Sequence, residues 1–143
     1  MRALLFTGLL LAGSLQAAEP VHIDVYRDPN CGCCSDWIDH LQANGLSVTD
    51  HVVDNMSEIK QQLGVPPRLA SCHTGVINGQ FVEGHVPAAD VLKLGQRPEL
   101  RGLAVPGMPH GSPGMETGRV DAYQVIGLDK QGREEVISAY PAQ

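Results

Sequence analysis

Three cysteines packed into Cys31-Gly32-Cys33-Cys34, with a fourth far downstream at Cys72, constrain this 143-residue chain more than any other feature. A disulfide between neighbours or across one residue closes a strained small ring. Two structural bridges therefore cannot form comfortably from this set, and the cysteines point to chemistry rather than stapling. Segment 21–26 ahead of them alternates apolar and polar residues as a strand does. Arg27-Asp28-Pro29-Asn30 then reads as a turn. A helix should start near Cys31 and run to Asn44, with Trp37, Ile38 and Leu41 on one face and Gly45 as its stop. Thiols at a helix N-terminus feel the positive end of the dipole and unpaired N–H groups, which lower their pKa below the usual value of about 8.5. A thiolate is both a nucleophile and a soft metal ligand, so this placement serves redox chemistry or metal binding.

The start of the chain bears on the compartment. Met1-Arg2, an apolar run over 4–12 and the small residues Ala17-Ala18 form the pattern of a secretory signal peptide. The run is far short of the roughly 20 residues a membrane span needs. Cleavage is expected after Ala17, with Ala18 the alternative, leaving 18–143 as one domain with no membrane anchor. The formal charge of −6 argues against nucleic acid, which needs clustered Lys and Arg. Trp37 is the one tryptophan, so the core must be built largely from Val, Leu, Ile and Ala.

Along the rest of the chain, 46–53 reads as a second strand, and Asn55 or Ser57 can cap a short helix with Ile59 and Leu63 inward, ended by Gly64-Val65-Pro66-Pro67. Segments 71–77 and 80–83 flank Asn78-Gly79, a strong two-residue hairpin signal. Pro87 suits the first turn of a helix carrying Val91, Leu92 and Leu94. Segment 102–118, rich in Gly and Pro, reads as a long irregular loop containing Met108, His110 and Met115. A second hairpin over 122–128 and 134–139 should pack on the same sheet or beside it. The fold class is α/β: a strand, turn, C-x-x-C and helix in the thioredoxin-like manner, in the order β-α-β-α-β-β-α, with an added C-terminal loop and hairpin.

This order, with Val76-Ile77-Asn78-Gly79 at its hairpin, resembles the glutaredoxins. In that family a cis-proline loop just before the third strand faces the C-x-x-C. The matching place here is Ser71-Cys72-His73, which has no proline. The resemblance implies that Cys72 faces Cys31 and Cys34, and the departure argues against ordinary disulfide exchange, because the loop that orients a substrate peptide carries a fourth thiol. On an ideal helix of about 3.6 residues per turn, Cys33 points roughly 100° from Cys34. Such neighbours bridge two ions more easily than they chelate one. Four thiolates at one helix end repel unless cations neutralise them, and soft thiolates select Cu(I) among biological metals.

More specifically, D-P-N-C-G-C-C with Trp37 three residues later, S-C-H-T at 71–74, V-E-G-H-V-P-A-A at 82–89 and G-L-A-V-P-G-M-P-H-G-S-P-G-M-E at 102–116 resemble the CopG family of bacterial copper-resistance proteins. The resemblance covers nearly all of the chain after the signal peptide. It implies a thioredoxin-like fold, a periplasmic location, and copper held by Cys31, Cys33, Cys34 and Cys72.

Several alternatives stand beside that expectation. Zinc takes the same four thiolates, although its structural sites usually pair two separated knuckles and only one is present. An iron–sulfur cluster fits the cramped spacing less well. One disulfide plus two inert thiols is the plain structural alternative. Met108, His110 and Met115 carry copper-ligand chemistry, against which methionine is also a common gap-filler. His73 either ligates or orients the site, or is an ordinary strand-end histidine; His85 suits a place behind the ligands. His22, His40 and His51 read as surface or strand residues without partners, and Trp37 as core. The expected function is periplasmic copper binding in copper tolerance, with copper ions and other copper-handling proteins as partners and Cu(I)/Cu(II) interconversion as an added capacity. A thiol–disulfide oxidoreductase using Cys31 as nucleophile and Cys34 as resolving thiol is the enzymatic alternative, and a copper metallochaperone the third.

Overall fold

The computed structural model describes residues 19–143, so the expected signal peptide over 1–17 lies outside the described residues. Strand β1 (His22–Arg27) buries Ile23 and Val25 completely on one face. Helix α1 (Gly32–Ala43) follows and buries Cys34, Trp37, Ile38 and Leu41, the i, i+3, i+4, i+7 stripe of a core-facing helix. Asn44 caps its C-terminus, and Gly45, at φ +85°, reverses the chain where a side chain would be strained. Strand β2 (Ser47–Val52) returns parallel to β1. Helix α2 (Met56–Leu63) is capped by Asn55, whose side chain accepts the Glu58 N–H at 3.3 Å, and ends on the left-handed Gly64. Strands β3 (His73–Ile77) and β4 (Gln80–Glu83) form the expected hairpin, and both Asn78 and Gly79 take positive φ as such a turn requires. Helix α3 (Ala88–Lys93) completes the β-α-β-α-β-β-α order expected from the sequence, with Pro87 as its N-cap.

The C-terminal part departs from expectation at one place. Residues placed at the end of a connection and the start of the irregular loop form a further strand, β5 (Leu100–Ala104), which pairs parallel to β4. Its pattern is short and interrupted by Gly102, which masks it in the sequence. The glycine is there for packing: a Cβ at 102 would lie 2.3 Å from the Phe81 carbonyl oxygen and 2.4 Å from its ring. Strand β5 then accepts the second hairpin, β6 (Tyr123–Asp129) and β7 (Glu134–Tyr140), on its free edge. The result is a single seven-stranded sheet in the order β2-β1-β3-β4-β5-β6-β7.

Two apolar clusters cover the sheet. The larger joins Trp37, Ile38 and Leu41 of α1 and Val91 of α3 to Ile23, Val25, Val82 and Leu103 of the strands. The smaller, on the α2 side, gathers Val65, Leu69, Phe81, Ala104 and Leu128. Among the described residues no helix is long and apolar enough to cross a membrane.

Candidate metal centre

The cysteine motif is set where β1 hands over to α1. Asp28 shapes the turn: its side chain accepts the Asn30 N–H at 2.9 Å and its carbonyl accepts the Cys31 N–H at 3.2 Å. Cys31 is thereby held in extended conformation as the N-cap of α1, and no side chain caps that helix end. Cys34, one turn on, is fully buried beneath it. The two are joined as a disulfide, and Cys33 and Cys72 are unpaired thiols. The bond differs from the expectation of four thiolates. Its cause is the C-x-x-C spacing, which stacks residues 31 and 34 on one side of the first turn with Cα atoms 5.3 Å apart.

Cys72 approaches from the short connection ahead of β3, opposite the helix end. Its Sγ lies 3.9 Å from that of Cys33, which is in turn 3.6 Å from that of Cys31. All four sulfur atoms fall within 4.8 Å of one another. The helical angle between Cys33 and Cys34 therefore does not part their sulfur atoms. Burial, with the adjacent Cys33 thiol second, pushes the Cys72 thiol up to about 11.

Two imidazoles close the other side of Cys72. His73 is fully buried, stacked on Trp37 at a centroid distance of 4.3 Å. Its Nε2–H donates to the Gly84 carbonyl at 2.9 Å, leaving Nδ1 facing Cys72 Sγ at 3.3 Å. His85, also buried, donates Nδ1–H to the Pro113 carbonyl at 2.8 Å and turns Nε2 toward the same sulfur at 3.2 Å. A carbonyl can only accept, so each bond assigns the ring proton to the far nitrogen and a lone pair to the near one. Burial lowers the pKa of both histidines, His73 strongly and with the neighbouring His85 adding to it, so both lone pairs remain available at neutral pH. One thiol proton can satisfy only one of the two. Cys72, His73 and His85 thus form a second donor group that shares Cys72 with the four-sulfur set.

The Gly- and Pro-rich segment covers this site. Its beginning meets the Cys72 connection, where the Ser71 hydroxyl donates to the Gly107 carbonyl. Its middle presses on α1: a Cβ at Gly114 would lie 2.9 Å from both the Cys33 carbonyl oxygen and the Trp37 nitrogen. Met108 beside Gly107 is 52% exposed, and Met115 is half-buried. His110 bonds Thr117 Oγ1 at 2.6 Å and belongs to neither donor group. Other histidines find partners invisible in the sequence. His51 bonds Asp24 at 2.7 Å, His22 sits between Ser47 and Thr49, and His40 accepts the Ala88 N–H at 3.0 Å.

No curated protein matches the chain significantly. The family described as a protein of unknown function, DUF411, matches residues 69–115, a stretch that holds Cys72, His73, His85 and the Met-His segment. Among solved structures, one form of a copper resistance protein CopG is 65% identical, with a TM-score of 0.84, over 86% of this chain and 100% of that one. A second form gives 65% identity and a TM-score of 0.83 over 86% and 99%.

Proposed function

Because the chain belongs to the family of the copper resistance protein CopG, we propose that it binds Cu(I) through Cys31, Cys33, Cys34 and Cys72 as an exported, periplasmic protein of copper tolerance. The observation that carries this is the convergence of four sulfur atoms from two distant stretches within 4.8 Å. Soft thiolate donors select Cu(I), and four of them crowded at one helix end call for more than one positive charge. A small thiolate-bridged cluster meets that demand. His73 and His85 are suited to complete it, since each offers a neutral ring nitrogen already oriented by a backbone carbonyl. Met108, His110 and Met115 are accessory candidates on the covering segment.

Full loading needs the Cys31–Cys34 bond opened. An external dithiol supplies the two electrons and two protons that convert that disulfide into two thiols, itself ending as a disulfide, and each protein thiol then releases its proton to the solvent as copper binds. Because that couple passes two electrons, its exchange with copper involves two ions: two Cu(I) become two Cu(II) as the disulfide opens, and the reverse as it closes. Anaerobic titration of the fully reduced protein with Cu(I), in competition with a chelator, tests the assignment. Copper should bind with masking of all four thiols, and Cys72→Ser should lose most of the affinity; uptake that ignores residue 72 would refute it.

The disulfide itself favours a second reading, a thiol–disulfide oxidoreductase in which half-exposed Cys31 is attacked and buried Cys34 resolves. On that reading Cys72→Ser spares disulfide reduction while Cys31→Ser abolishes it.

A further inference from the structure

Strand β4 ends in a charge that the copper site does not use directly. Glu83 is completely buried, on the α2 side of the sheet. Its carboxylate accepts the Ser71 N–H at 2.6 Å and the Thr74 hydroxyl at 2.6 Å, and it pairs with Lys60 of α2. Lys60 Nζ also donates to Thr74 Oγ1 at 2.9 Å. Ser71 and Thr74 flank Cys72-His73, so one carboxylate grips both ends of the dipeptide that faces the helix. Cys72 precedes the first ladder residue of β3, so strand pairing does not hold Ser71 in place. The next two residues act on the same dipeptide: the Gly84 carbonyl accepts from His73, and His85 faces Cys72 Sγ.

A buried ion pair is a poor device for stability, since apolar residues of similar volume often serve as well or better. What this pair supplies is a set of hydrogen bonds to Ser71 and Thr74. We infer that Glu83, held by Lys60, is the positioning residue that sets Cys72 against Cys31, Cys33 and Cys34 for copper. This rests on the copper-thiolate reading and extends it to a side chain that touches none of the sulfurs.

The test compares Lys60→Met/Glu83→Leu, which removes the charges together, with Lys60→Met/Glu83→Gln, whose amide oxygen can still accept the Ser71 N–H. In metal-free protein the Leu pair should raise the alkylation rate of Cys72 relative to Cys33. Its Cu(I) affinity should fall by about 10- to 100-fold, the loss seen when groups orienting metal ligands are removed. The Gln pair should recover most of both. A Leu pair that folds, alkylates like the parent and binds Cu(I) with parental affinity overturns the inference. Should the Leu pair not fold, Thr74→Val removes one tether alone, and an unchanged Cys72 to Cys33 ratio then overturns it. Alkylation is read without copper, so a parent protein that binds no Cu(I) would sink the functional reading and leave the positioning role to be judged on thiol reactivity.

Discussion

At the scale of single residues, Cys72 is the thiol whose chemistry is most altered by its surroundings. It is half-buried, and its proton is held tightly because burial and the Cys33 thiol disfavour the anion. Only the thiolate is alkylated. In the metal-free protein the Cys72 alkylation rate should therefore keep rising with pH toward its raised value of about 11. Mass spectrometry of peptides alkylated at graded pH reads this directly, and a plateau near the ordinary thiol range would contradict it. A bound cation supplies the charge that burial denies the thiolate, so a soft metal ion bound at Cys72 would displace its proton.

Among the elements, the segment over 102–118 ties the site together although it has no regular structure beyond the end of β5. Gly107 receives Ser71, Pro113 receives His85, and Gly114 lies against the first turn of α1. Gly114 has two reasons to be glycine: a φ of +85°, which other residues avoid, and a Cβ position already occupied by backbone. Gly114→Ala should cost about 1–3 kcal/mol, the usual price of a strained backbone position. It should also push Pro113 away from His85. Denaturant unfolding gives the first outcome, and a shift in the His85 ring resonances by NMR gives the second; an unchanged His85 environment would show that the segment is not its anchor.

For the molecule as a whole, the added hairpin is bound to the first part of the fold by more than the β5 edge. Asp90 of α3 is 1% exposed, and its carboxylate accepts hydrogen bonds from Ser138 and Tyr140, each at 2.6 Å. Burial, and then the bond to Asp90, raise the Tyr140 pKa, so the phenol stays a donor across the neutral range. Tyr140→Phe removes one of these bonds to a buried charge and should cost about 1.5–3 kcal/mol. Urea unfolding should show a lower midpoint with the slope unchanged; a midpoint equal to the parent's would mean that the hairpin docks without this contact.

The sequence by itself determined the local features: the strand, turn and helix around Cys31, the Asn78-Gly79 hairpin, a helix cap at Asn55 or Ser57, and the stop of the first helix at Gly45. Each depends on residues a few positions apart, where dipoles, φ preferences and apolar periodicity act directly. Strand β5 escaped because Gly102 breaks its pattern for the sake of Phe81 on another strand. The places of His85 and Glu83 also needed the fold. Their partners at Pro113, Cys72, Ser71 and Lys60 lie between 12 and 28 residues away. Only the order of strands in the sheet brings those groups to one spot, and that order follows from packing many apolar faces at once rather than from the pattern of any one segment.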